Sequence, residues 1–512
     1  MNRRYFTTPI YYASGEPHLG HAYTTVLTDF LARYHRQTGA EVLFLTGTDE
    51  HGQKMQETAA KLGIEPVELA DQMAQRFEAA WKDLNISHDR FIRTTEAEHV
   101  GVVTTILQRL WDKGQIYEDL YSGWYCVPDE RYWTEKEVGP GRLCPDCKRP
   151  VNFVEEKNYF FRMSEYQQRL IQHIEDHPQW IVPETRRNEI LGFLAQPLQD
   201  LSISRPKSRL QWGITLPFDD EHVCYVWVDA LINYVTASGV LDPEGGSDQP
   251  GFTNPGNSWW PADMHLIGKD ILTTHSVYWP TLLMAADLDL PNQILAHGWW
   301  VMGETKMAKS LGNVIDPLAL RKDFGTDGVR WYLMRDMPTG ADASYTPERF
   351  LARYEELANV LGNLASRATS MIVKYREGMV PDAPGTDLDE AIRLTLDAVT
   401  THMDGLRIHD ALASAMDLAR TANVYVDTRE PWAQAKDPEL AGDLDETLAT
   451  LARVLTVLTA LFLPVTPEKM TVLAKLLGLE GVPSLEVAVS INLTGRTVTK
   501  GMPLFPKPDL DA

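Results

Sequence analysis

The first fifty residues constrain the fold more than any other stretch of the chain. Residues 4–13 alternate and carry β-formers, then meet the turn signal Ser14-Gly15-Glu16-Pro17. From Ala22 to Tyr34, the apolar Val26, Leu27, Phe30, Leu31 and Tyr34 recur at three and four, the spacing of an amphipathic helix. Glu41-Val42-Leu43-Phe44-Leu45-Thr46 follows as a short apolar run after a glycine, which reads as a buried parallel strand. Strand, helix and strand in this order make a βαβ unit, the seed of a doubly wound α/β sheet.

Strand-like runs return at Cys224–Val228, His265–Gly268 and Gln293–His297, the expected second half of that sheet. The segment from about 120 to 160 is rich in Tyr, Trp, Cys, Pro and Gly and reads as a small insertion. After Tyr345, Leu, Ala, Val and Met keep helical spacing almost to Leu477 without strand signals, which predicts a helix bundle. The last thirty-five residues contain Pro and Gly and are irregular.

Charge narrows the function. The 48 basic and 71 acidic residues leave a formal net charge of −23. A protein that coats nucleic acid by bulk charge is excluded, and any polyanion must be met by local patches of Lys and Arg. No apolar run is long enough for a signal peptide or a membrane span, so a cytoplasmic protein with no membrane partner is expected.

Three sets of residues carry chemistry. Pro17-His18-Leu19-Gly20-His21 lies where the first strand turns into the first helix, where backbone N–H groups and the helix dipole favour a phosphate. The same residues also fit two surface histidines beside a turn. Gly303-Glu304-Thr305-Lys306-Met307-Ala308-Lys309-Ser310 is a Gly-flanked loop with two lysines, point charges suited to a leaving pyrophosphate, or else an ordinary solvated loop. Cys126-Val-Pro-Asp129 and Cys144-Pro-Asp-Cys147 have knuckle spacing. A Cys3Asp zinc site and a degenerate knuckle without metal both stand open. Cys224 lies in a strand-like run and reads as a buried apolar residue.

Together, His18-Leu19-Gly20-His21 and Lys306-Met307-Ala308-Lys309-Ser310 resemble the two signature motifs of the class I aminoacyl-tRNA synthetases. Ala308 departs from the usual Ser, which removes a hydroxyl and keeps both lysines. Pro9–Ala13, Gly47–Gly52, Tyr225–Tyr234 and Gly268-Lys269-Asp270-Ile271 through His275 to Trp279-Pro280 resemble the methionine enzymes of that class. The resemblance runs over almost the whole chain. It implies methionine activation with Mg-ATP and transfer to the 3′-terminal adenosine of initiator and elongator tRNA(Met).

It also assigns roles. His18, His21, Lys306 and Lys309 would serve catalysis. His18, Gly20, His21, Gly268, Lys269, Asp270 and Lys309 would bind ATP. Ile10, Tyr12, Trp227, Ala230, Leu231, Tyr234, Ile271, His275 and Trp279 would form the methionine pocket, with Asp49 on the amino group. Cys126, Asp129, Cys144 and Cys147 would hold zinc. Asn363, Arg367 and Trp432 would read the anticodon, although spacing alone favours a polar helix face and a buried Trp. The implied divisions are catalytic halves at 1–115 and 221–325 around a connective insertion at 116–220. A stem-contact region at 326–350, a helical anticodon domain at 351–477 and a tail at 478–512 follow. The tail, with Met502-Pro503-Leu504-Phe505-Pro506, resembles the end of the family's core and suggests a monomer. Three rivals remain. A sister synthetase for Leu, Ile, Val or Cys shares the phosphate motifs, and those for the branched amino acids usually carry an editing insertion that has no room here. A tRNA binder would not need the two histidines and two lysines. A simple nucleotidyltransferase would leave the helical half without a use.

Overall fold

The computed structural model describes residues 2–127, 131–241, 258–302, 305–306 and 315–507, with backbone alone at 121, 131, 302, 305 and 306. Its centre is a parallel sheet. Strand β1 (Arg3–Thr7) leads into helix α1 (Leu19–Gln37) and back to β2 (Glu41–Asp49), which pairs parallel with β1 in the register Phe6 to Phe44. The two-residue strand Tyr11–Tyr12 continues the β1 side of β2, and β3 (Arg90–Arg93) pairs on its other side.

The chain then leaves the sheet. Strands β4 (Ile116–Cys126) and β5 (Asn152–Phe161) form a long antiparallel pair, flanked by Arg131–Trp133 and Leu201–Ser202 in a four-stranded sheet of its own. It touches the parallel sheet again at β6 (Ile181–Val182). Strand β7 (Asp219–Cys224) belongs to a third small sheet and leads into α2 (Val226–Ser238). Strands β8 (Met264–Gly268) and β9 (Ile294–His297) complete the parallel sheet, β8 beside β1 and β9 between β8 and β6. The spatial order β3-β2-β1-β8-β9-β6 reverses direction at β1, so β1 and β8 flank the switch point where such sheets bind ligands.

One expectation is corrected. Cys224–Val228 is a strand only to Cys224, and Val226 and Val228 open α2. This helix is buried on nearly every face, and a β-branched run buried all round carries no 3.6-residue rhythm to separate it from a buried strand.

Beyond the sheet come α3 (Pro317–Asp336), α4 (Pro347–Glu356), α5 (Asn363–Arg376), α6 (Ile408–Arg429), α7 (Ala441–Phe462) and α8 (Pro467–Leu476). Tyr354, Leu357, Leu361 and Leu364 are buried along α4, α5 and the wide turn between them, as the spacing predicts. One apolar core runs from α1 and the face of the sheet beneath it straight into these helices. A second fills the opposite face, around α2 and the helix Trp279–Ala285. The join in the first core is also polar: Arg330 on α3 is fully buried, and its Nη2 donates to Asp29 Oδ2 on α1 at 2.6 Å.

Candidate active site

A cleft opens at the carboxyl ends of the parallel strands, on the switch point. It is lined by Pro9–Tyr12 after β1, by His18, Gly20 and His21 with Tyr23 and Thr24 of α1, and by Asp49 at the end of β2. Trp227, Ala230, Leu231 and Tyr234 of α2 line it too, with Gly268, Asp270, Ile271 and His275 after β8 and His297–Trp300 after β9. Its roughly 1110 Å³ of atom-free space, open mouth included, is more than a lone amino acid fills.

At one end are the two histidines. His18 is the N-cap of α1, and its Nδ1 accepts from the backbone N–H of Gly20 (3.1 Å) and of His21 (3.4 Å). The first-turn amides are therefore already taken, and the neutral ring carries its proton on Nε2. What this end of the helix offers an anion is that imidazole N–H together with the helix dipole. The His18 and His21 rings stack at 3.6 Å. Gly20 allows this, because a Cβ there would stand 3.0 Å from His18 Cε1. Thr24, one turn on, donates its hydroxyl to His297 Nε2 (2.7 Å), since Nδ1–H of that ring is committed to the Gly298 carbonyl (2.7 Å). This bond ties the start of α1 to the end of β9.

The other end is apolar and aromatic. Tyr12 and Trp227 meet edge to face at 6.0 Å. Tyr234 donates its hydroxyl to His275 Nε2 at 2.8 Å, because Nδ1–H of His275 serves the Ile271 carbonyl at 3.0 Å. Burial pushes His275 down to about 4, so the ring is neutral and Nε2 stays an acceptor. Asp49 is buried at the end of β2, beside Tyr12 in the sheet, and lines the cleft.

Of the ten residues expected to touch methionine, nine line this one cleft; Trp279 lies outside the lining, buried and ring to ring with Tyr234 at 5.9 Å. Lys269 is also outside the lining, pairing with Asp342 (2.7 Å) over the Trp299 ring, while Asp270 accepts from Trp299 Nε1 (3.2 Å). Lys306 lies in a short strand paired to Val301, with its side chain outside the described residues; Lys309 and Ala308 lie wholly outside them. Tyr23, Thr24, His297, Gly298, Trp299 and Trp300 were not expected here. The signal for the last four is positional: they follow a strand that ends at the switch point.

In the insertion, the sulfurs of Cys126, Cys144 and Cys147 all lie within 4.8 Å of one another, those of Cys126 and Cys147 at 3.5 Å. Tetrahedral thiolate zinc at about 2.3 Å sets sulfurs about 3.8 Å apart, so the three thiols suit that ion. Asp129 lies outside the described residues. Cys224 is buried in β7, and burial pushes its thiol up, as for an inert core cysteine. In the helical half, Asn363 is exposed and Trp432 is 40% exposed. Arg367 donates to Asp427 (2.5 Å) on α6, whose end runs through Glu430 into Trp432.

The doubly wound sheet carries paired imidazoles at its first crossover and is followed, from Pro347 on, by a predominantly helical region. The family model described as tRNA synthetases class I (M) matches residues 4–152 and 149–369, and the chain belongs to that family. It is 45% identical to the methionine–tRNA ligase of Clostridium acetobutylicum, over 99% of this chain and 78% of that one. To the Thermotoga maritima methionine–tRNA ligase it is 42% identical, over 99% and 80%. The solved Mycobacterium tuberculosis methionyl-tRNA synthetase in complex with methionyl-adenylate superposes with a TM-score of 0.92 at 40% identity, over 99% of this chain and 100% of that one. The apo form of the same protein gives 0.86 at 37% identity, over 99% and 98%.

Proposed function

We propose that the chain is a cytoplasmic methionine–tRNA ligase that makes methionyl-adenylate from L-methionine and ATP and passes the methionyl group to the 3′-terminal adenosine of initiator and elongator tRNA(Met). The observation that carries this reading is one cleft with paired imidazoles at one end and an apolar aromatic wall at the other. The wall suits a polarizable thioether. The buried carboxylate of Asp49 in the lining suits an ammonium group.

The methionine carboxylate attacks the α-phosphorus, the bond to the bridging oxygen breaks, and pyrophosphate leaves. His18 Nε2–H and His21, with Gly20 keeping the approach open, orient the phosphates; Gly268 and Asp270 border the nucleotide side, and Lys269 supports it through Trp299. Lys306 and Lys309 neutralise the departing pyrophosphate, so positioning and charge stabilisation drive the step without a protein nucleophile. Magnesium bound with ATP supplies further charge neutralisation. Cys126, Cys144 and Cys147, with Asp129, would hold one zinc that cross-links the knuckle. Asn363, Arg367 and Trp432 present polar edges and an open indole to an unpaired anticodon.

Amino-acid-dependent ATP–pyrophosphate exchange tests the reading without tRNA. Exchange that responds to methionine far above leucine, valine and cysteine is expected. Exchange driven by another amino acid would overturn the pocket assignment, and none at all in folded, magnesium-supplied protein would overturn the activity.

A further inference from the structure

Behind the aromatic wall lies an imidazole that is not itself part of the cleft lining. His265 on β8 is fully buried, and its two ring nitrogens are both committed. Trp279 Nε1, which can only donate, points at His265 Nε2 at 3.2 Å. That nitrogen must therefore be bare, and the proton sits on Nδ1, 2.8 Å from the Thr7 hydroxyl at the end of β1. Burial drives His265 well below the ordinary histidine range, which keeps this tautomer neutral. The face of the same ring lies against Tyr234 at 4.2 Å.

We propose that His265 is a positioning residue for side-chain selection: its Nε2 fixes the Trp279 indole and its ring supports Tyr234, which together set the depth of the apolar end. The inference rests on the reading that this end takes the methionine side chain. Two chains of hydrogen bonds converge there. Trp279 donates to His265 and His265 to Thr7; Tyr234 donates to His275 and His275 to the Ile271 carbonyl. Each chain runs in one direction only, because an indole N–H and a backbone carbonyl cannot exchange roles. Tyr234 sits between them, ring on His265 and hydroxyl on His275. Loss of the His265 acceptor leaves a buried indole N–H without a partner, and the indole must turn to find one.

Steady-state exchange kinetics on the full chain test this, with methionine and its sulfur-free isostere norleucine as probes. His265→Phe keeps a ring under Tyr234 and removes the acceptor. It is expected to raise the KM for methionine about tenfold, the worth of one buried hydrogen bond, with kcat and the KM for ATP within about twofold. His265→Gln carries an amide oxygen that reaches the Nε2 position and is expected to restore most of the loss, whereas His265→Asn is too short and is not. In a Trp279→Phe background, where the donor is gone, His265→Phe is expected to add nothing to the methionine-to-norleucine ratio. If His265→Phe fails to fold, the Gln and Asn pair decides. Equal behaviour of Gln and Asn, an unchanged methionine KM in His265→Phe, or parallel rises in the methionine and ATP KM values would each overturn the proposal. A parent protein without methionine-dependent exchange would overturn the reading of the cleft instead.

Discussion

The Asp29–Arg330 pair makes a quantitative demand on how the two halves of the molecule are held. Arg330 donates to Asp29 Oδ2 and Pro464 O from Nη2 (2.6 and 2.8 Å), to Val465 O from Nε (3.1 Å), and to Leu84 O from Nη1 (3.1 Å). Asp29 also accepts from Arg33 Nε (2.7 Å) and from the backbone and hydroxyl of Ser87 (both 2.6 Å). Both side chains of the pair are fully buried. Burial opposes charge on Asp29, but Arg330, Arg33 and Ser87 together hold it below its ordinary value. Arg330→Met keeps most of the volume and removes the cation. Arg33 and Ser87 still serve Asp29, while three buried carbonyls lose their donor. Breaking a buried pair at one partner costs about 3–5 kcal/mol, and the surviving Arg33 places this case near the lower end, about 3 kcal/mol. Because a single apolar core spans α1 and the bundle, sheet and bundle are expected to unfold together at a lower urea midpoint. Tryptophan fluorescence, with Trp331 next in sequence to the lost guanidinium, follows that transition. The double variant Asp29→Leu with Arg330→Met is expected to cost less than the sum of the two single changes, since it removes both members of the fully buried pair and leaves only the part-exposed Arg33 to find another partner. A midpoint for Arg330→Met within 1 kcal/mol of the parent, or strict additivity, would refute the weld.

Four further outcomes are expected. Asp327 is buried and accepts from the Lys469 N–H (2.7 Å), yet burial outweighs that bond and pushes its carboxyl from 3.8 to about 6. A raised carboxyl contributes stability that is full below 3.8 and lost as pH rises through about 6. Asp327→Asn should therefore gain up to about 2 kcal/mol relative to the parent between pH 4 and 7.5, and a pH-independent difference between the two unfolding curves would sink the idea. The knuckle should carry roughly one zinc per chain by elemental analysis, and a chelator should expose three reactive thiols while buried Cys224 stays silent; metal-free protein with those thiols already reactive would count against it. Lys309→Ala should slow pyrophosphate exchange about 10²–10³-fold with little change in the methionine KM, and near-normal exchange would remove its assigned role. Trp432→Ala should raise the KM for tRNA by about 1–3 kcal/mol of lost stacking and leave exchange without tRNA untouched; an unchanged tRNA KM would place the indole outside the interface.

What the sequence made legible follows from how far each signal reaches along the chain. The βαβ opening was readable because α1 and β2 carry local rhythms, 3.6 residues for one and an unbroken apolar run for the other. Val226–Val228 reads as strand because α2, buried on nearly every face, shows no 3.6-residue rhythm. Strand β6 has two residues and pairs with β9 more than a hundred positions later, so no local pattern marks it. The nine cleft residues were found through motifs whose members lie close together in sequence. The layer that holds them was not, because His265 meets Trp279 across fourteen positions and Thr7 across 258. Asp29 meets Arg330 across 301. A histidine inside Met264–Gly268 looks like any buried polar residue until its partners are known. Its importance is set by the indole N–H, which has nowhere else to go. The residues that touch ligand can thus be conspicuous in a sequence while those that hold them still are silent. Such silent residues are the ones whose substitution would loosen selectivity before it abolished chemistry.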